Sequence, residues 1–80
     1  MPVKRIEKIE GGVVTKRAEV NAKGFYVCLP FGCNLLRDAK LFRNLDDVAK
    51  YLRANPKAGV RMNPGWGKIS EDIFIDGLPR

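Results

Sequence analysis

Histidine is absent from this sequence, cysteine occurs twice and tryptophan once, and no uncharged stretch is long enough to cross a bilayer. Each shortage excludes something. Without histidine there is no Ser-His-Asp or Cys-His triad, no HExxH zinc helix and no imidazole to exchange protons near neutral pH. The longest uncharged stretch, Gly24 to Leu36, contains Pro30, Gly32 and Asn34. It falls short of the roughly 18 apolar residues that a spanning helix needs. The first residues, Met1 to Glu7, include Lys4 and Arg5 but no apolar run of the kind a secretory signal carries. A cytoplasmic protein with no membrane partner is the expectation, and Cys28 and Cys33 are then expected as thiols.

The spacing Cys28-Leu-Pro-Phe-Gly-Cys33 is not the CxxC redox spacing. A structural zinc would need two more ligands, and these would have to be carboxylates or come from a second chain. Two small buried thiols beside a turn are the simpler expectation, with no metal and no cofactor. The carboxylates are similarly plain. Asp46 and Asp47 read as helix N-terminal residues, Glu71 and Asp72 as a turn, and Asp76 as part of an Asp-Gly turn. Nothing sets two of them at a working acid/base separation. The glycine-rich stretch Gly59 to Gly67 has neither the GxxxxGK[ST] nor the GxGxxG order. A non-enzymatic domain is expected, with a small carboxylate- and lysine-based enzyme ranked last.

What is present is enough for one small domain spanning residues 1–80. The chain is 45% hydrophobic and 30% charged, a balance that supports a core. Residues 3–9 have apolar positions three apart, but their β-branched bias and short length favour a strand ended by Gly11-Gly12. Residues 13–20 alternate, with Val14, Ala18 and Val20 on the parity expected to be buried. Asn21-Ala22-Lys23-Gly24 reads as a turn leading into a partner strand at residues 25–29, so the pattern predicts a hairpin of 13–20 with 25–29. Residues 35–42 fit a third strand or an irregular connection. A helix is expected near 45–54: Asn44 as N-cap, two aspartates in the first turn, and Leu45, Val48, Ala49 and Leu52 in one apolar stripe. Pro56 stops it. Val60-Arg61-Met62 and Ile73-Phe74-Ile75 read as short strands, and Asn63-Pro64-Gly65-Trp66 as a turn. These elements predict an α+β fold: a small antiparallel sheet of three to five strands, with an N-terminal hairpin and one amphipathic helix packed on one face.

Charge is the broadest functional signal. The 15 Lys and Arg outnumber the 9 Asp and Glu, for a net charge of +6. The excess lies before Met62: residues 1–61 hold 13 basic and 6 acidic side chains, residues 62–80 hold 2 and 3. Such a face can track a phosphate backbone, and a two-stranded ribbon can enter a groove. The first reading is therefore a module for DNA or RNA. Its contacts would come from Lys4, Arg5, Lys16, Arg17 and Lys23 on the hairpin side, with Arg37, Lys40 and Arg43 before the helix. Against it, no run of three basic residues exists, and Glu7, Glu10 and Glu19 interrupt the N-terminal cluster. The alternative is a protein-interaction or self-associating structural domain, with a protein partner or a homodimer formed along an edge strand. Trp66, Met62 and Phe31 would be its apolar anchors. Trp66, between two glycines and flanked by Arg61 and Lys68, suits stacking on a base or anchoring a partner. A lone Trp in so small a domain is nevertheless expected as a core plug.

Overall fold

The computed structural model describes residues 3–30, 32 and 36–76. Seven antiparallel strands form a curled half-barrel with a single short helix. The strands are β1 (Ile6–Glu10), β2 (Val13–Ala18), β3 (Tyr26–Leu29), β4 (Lys40–Phe42), β5 (Gly59–Asn63), β6 (Trp66–Lys68) and β7 (Ile73–Ile75). The helix α1 (Leu45–Ala54) lies between β4 and β5, and a 3-10 turn (Leu36–Asp38) precedes β4. The order across the sheet is β4-β3-β5-β2-β1-β7, with β6 on the other edge of β5. This corrects the expected sheet of three to five strands with a helix on one face. Segments too short to show periodicity, such as 40–42 and 66–68, are strands because neighbours supply their hydrogen bonds. The right-handed twist accumulated across so many short strands curls the sheet.

The expected hairpin of 13–20 with 25–29 is also corrected. β2 pairs instead with β1 across Gly11-Gly12, where Glu10 faces Val13. Both glycines have positive φ, +57° and +80°, the pattern of a two-residue turn whose twist matches the strands. The other edge of β2 is taken by β5, so residues 13–18 do not pair with 25–29. Lys8 faces Lys16 and Ile9 faces Val14, so Thr15 is a bulge, and its hydroxyl donates to the Lys8 carbonyl at 3.3 Å. The tip of this hairpin pairs only within itself, which leaves Val14 exposed rather than buried, and Val20 past the end of β2 is exposed as well. The turn at Asn21 does form. Its Oδ1 accepts from the Lys23 and Phe25 amides at 2.9 and 3.0 Å, and Val20 bridges Tyr26. Beyond that bridge the two strands part. Arg17 and Ala18 pair with Asn63 and Met62, and Cys28 and Leu29 pair with Val60 and Gly59, along the same edge of β5. β2 and β3 thus lie end to end along one edge of β5, with the Asn21 turn between them and Tyr26 and Val27 paired to β4.

The helix is as the sequence predicts. Asn44 Oδ1 accepts the Asp47 amide at 2.9 Å, and the Asn55 amide closes the other end on the Tyr51 carbonyl at 2.8 Å. Val48, Ala49 and Leu52 are fully buried, with Leu45 half-buried beside them. They join Ile6, Cys28, Val60, Met62, Ile73 and Ile75 in one core. The Val3 amide donates to Asp46 Oδ1, which fastens the N-terminal segment to the start of the helix. The Phe42 and Tyr51 rings meet at 5.4 Å. No helix among the described residues is long and apolar enough to cross a membrane. Cys28 is a free thiol with no exposed surface, and burial pushes its pKa up to about 12. Cys33 lies outside the described residues, as does Gly77 of the expected Asp-Gly turn.

Candidate functional site

Alternation along β5 sorts its side chains between two faces. Val60 and Met62 point into the core, while Gly59, Arg61 and Asn63 lie on the outer face. The turn to β6 runs over Met62–Gly65, with the Met62 amide donating to the Gly65 carbonyl at 2.8 Å and the Asn63–Pro64 peptide cis. It therefore starts one residue earlier than the sequence suggests. Across this hairpin Arg61 faces Trp66, Val60 faces Gly67 and Gly59 faces Lys68. The register decides where the tryptophan goes. Gly67 takes the inward position, and a methyl group there would overlap Met62 Sδ and stand 3.1 Å from Ile73 Cδ1. Trp66 is consequently on the outer face and half-buried, not the expected core plug. Gly59 lies next to the ring: a Cβ at 59 would stand 3.7 Å from Trp66 Cε3, an ordinary contact.

Trp66 forms part of a cleft of about 720 Å³ on this face. That volume falls in the range of small-molecule sites, roughly 300–1,000 Å³. Leu29, Pro30 and Gly59 supply apolar surface, and Lys57, Arg61 and Lys68 supply three cations. Glu19 is the acidic side chain among the described lining residues. Its Oε1 lies 3.4 Å from Arg61 Nε, and its amide donates to the Arg61 carbonyl at 3.2 Å. An aromatic face beside several cations can hold a planar group and an anion together.

The residues expected to contact phosphate are arranged otherwise. Lys4, Arg5 and Arg17 share a hollow of about 150 Å³ with Glu7. Glu7 is 6% exposed and draws both arginines, Arg17 at 3.5 Å and Arg5 at 3.9 Å. The Arg5 guanidinium also lies over the Phe74 ring at 5.6 Å. Lys16 is half-buried and donates from Nζ to the Trp66 carbonyl at 2.9 Å, so it braces β6 against β2. Lys23, Arg37 and Lys40 are exposed on the Asn21 turn, the 3-10 turn and β4. Arg43 is exposed and stacks over Phe25 at 4.5 Å. Lys8, held by Glu10 at 3.1 Å and Glu71 at 3.6 Å, has its ammonium pKa raised, chiefly by the Glu10 hydrogen bond.

Of the three expected anchors, Trp66 lines the cleft. Met62 is 2% exposed and belongs to the core, at the floor of the same cleft. Phe31 lies outside the described residues. Lys57 was not singled out by the sequence, and Arg61 and Lys68 were noticed only as neighbours of Trp66. The signal that finds these two is the hairpin register, because residues on one parity of two paired strands share a face. No family model, curated protein or solved structure matches this chain.

Proposed function

We propose that this domain binds single-stranded nucleic acid in the cleft on the outer face of β3, β5 and β6, without catalysing a reaction. The observation that carries this reading is Trp66, half-exposed and directly across the strand pair from Arg61, with Lys57 and Lys68 in the same cleft. A single strand exposes base faces that a duplex hides. Stacking one base on an aromatic ring contributes about 1–3 kcal/mol whatever the sequence, and nearby cations follow the phosphates. A groove-entering ribbon is less well supported. The tip of the β1–β2 hairpin carries Glu10, Val13 and Val14 rather than cations.

Binding of a labelled oligothymidylate of about a dozen nucleotides, compared with a duplex of equal length, tests the reading. Single-strand preference, quenching of Trp66 fluorescence and a steep loss of affinity with salt are expected. Equal affinity for the duplex with unchanged fluorescence would refute it, as would no binding at low salt. A cytoplasmic location belongs to the same proposal. Fractionation of cells expressing the tagged chain checks it.

A further inference from the structure

Resting on the single-strand reading, we infer that Glu19 is a built-in competitor for the cleft: it holds Arg61 when the cleft is empty, and a phosphate of the bound strand displaces it. Three features place it in that role. Glu19 follows directly on β2, where its amide is tied to the Arg61 carbonyl, so the two side chains leave adjacent backbone on one wall. The carboxylate lies 3.4 Å from the guanidinium, and both groups remain open to solvent, 36% and 45% exposed. Arg61 in turn faces Trp66, so the cation that Glu19 occupies is the one beside the stacking surface.

A carboxylate and a phosphate offer arginine the same kind of acceptor pair, and the phosphate can be bidentate on the same fork. An exposed ion pair is weak enough to be exchanged without disturbing the fold. Occupation by Glu19 keeps an unfilled arginine from collecting small anions. It also sets a threshold: a ligand has to bring stacking on Trp66 together with a phosphate to pull Arg61 away. A stacked base without a phosphate, or a free phosphate without a base, supplies half of that. The ligand class selected is thus a phosphorylated aromatic polymer rather than a simple polyanion.

The test is a double-substitution cycle, read by oligothymidylate anisotropy across a salt series and by Trp66 quenching. The variants are Glu19→Gln, Arg61→Gln and the pair together, with Trp66→Ala as control. Glu19→Gln is expected to tighten binding, by up to about fivefold. Its slope of log affinity against log salt should stay close to the parent's, because Arg61 meets a phosphate in both complexes, whereas Arg61→Gln should lower it by about 0.7. In the Arg61→Gln background Glu19→Gln should do nothing. Inorganic polyphosphate should gain from Glu19→Gln by no more than the oligonucleotide does, since either ligand breaks the same ion pair, and should still bind more weakly for want of stacking on Trp66. Binding that depends on Trp66 but is indifferent to Glu19 would overturn the competitor and leave the single-strand reading intact. A tightening that survives in the Arg61→Gln background would also overturn it, because Glu19 would then act only as a repelling charge. If no variant binds, the single-strand reading falls and the competitor falls with it.

Discussion

The β1–β2 and β5–β6 hairpins both carry cations, and the two surroundings use them differently. Around β1–β2, Arg5 and Arg17 converge on the buried Glu7, and Lys8 lies between Glu10 and Glu71. The positive charge there serves to hold carboxylates in place. Around β5–β6, Arg61, Lys57 and Lys68 line a cleft with Trp66, and Glu19 is the acid among the described residues facing it. A net charge of +6 therefore says little about where an anion would bind. What matters is how many acids share a surface with the cations, and a count along the chain mixes the two hairpins.

The largest expected effect comes from the glycines, which differ in kind between the hairpins. Gly67 is needed for space and Gly11 for backbone conformation. Gly67→Ala is expected to lower stability by about 1–3 kcal/mol, because its methyl group overlaps Met62 Sδ in a filled core. Met62→Ala in the same chain should recover part of that loss by opening room. Gly11→Asn should stay within about 0.5 kcal/mol of the parent, because Asn adopts positive φ and nothing lies within 4 Å of an added Cβ. Urea unfolding reads all three. Equal losses at Gly67 and Gly11 would erase the distinction.

The next effect separates binding from stability. Trp66→Ala is expected to weaken oligothymidylate binding by about 1–3 kcal/mol, roughly five- to 150-fold, at little cost to folding. Arg17→Gln should do the reverse. It leaves affinity within about twofold but costs on the order of 1 kcal/mol of stability, since the buried Glu7 loses a partner. Anisotropy and urea titration on the same two proteins give the comparison, and an affinity loss at Arg17 matching that at Trp66 would return the site to the β1–β2 side.

Some of this was legible in the sequence. The helix 45–54 announces itself with a cap, an apolar stripe and a stop, all local signals. The strand at 73–75 and the Asn21 turn are legible for the same reason. The pairing of strands is not local. Asn21-Gly24 makes a good turn, yet its flanks lie along one edge of β5 because that distant strand pairs with both of them. The cleft depends on a register, Arg61 opposite Trp66, that a one-residue shift in the turn would have reversed. Lys16 shows the same limit: its charge was visible, and its hydrogen bond to a carbonyl fifty residues away was not.

Inside the sheet, Cys28 gives a smaller effect that separates the core layer from the charged outer one. Burial raises its thiol pKa from the usual 9.0 to about 12. Between those values the folded chain keeps a proton that the unfolded chain has lost. The stabilising contribution is therefore complete below about pH 9 and declines as pH rises toward 12, by at most about 1.4 kcal/mol per unit. Cys28→Ala should cost stability at pH 7 and flatten the decline between about pH 9 and 11. An unchanged slope would assign the alkaline loss to the outer ion pairs instead.

The smallest effect joins the two hairpins, because Lys16 leaves one and ends on the other. Its sequence suits a phosphate contact, while its position makes it a brace on the Trp66 carbonyl. The two roles predict different salt behaviour. Removing a phosphate contact lowers the single-strand slope by about 0.7. Removing a brace weakens binding by loosening the aromatic platform and leaves the slope alone. Lys16→Met keeps the length of the stem and loses the donor. It is expected to reduce oligothymidylate affinity about two- to fivefold, the scale of one lost hydrogen bond of about 0.5–1 kcal/mol, with the slope unchanged. Trp66 emission in the free protein should shift to the red as the indole becomes wetter. A reduced slope without that shift would make Lys16 a ligand contact, and the β1–β2 hairpin would then contribute to the binding face after all.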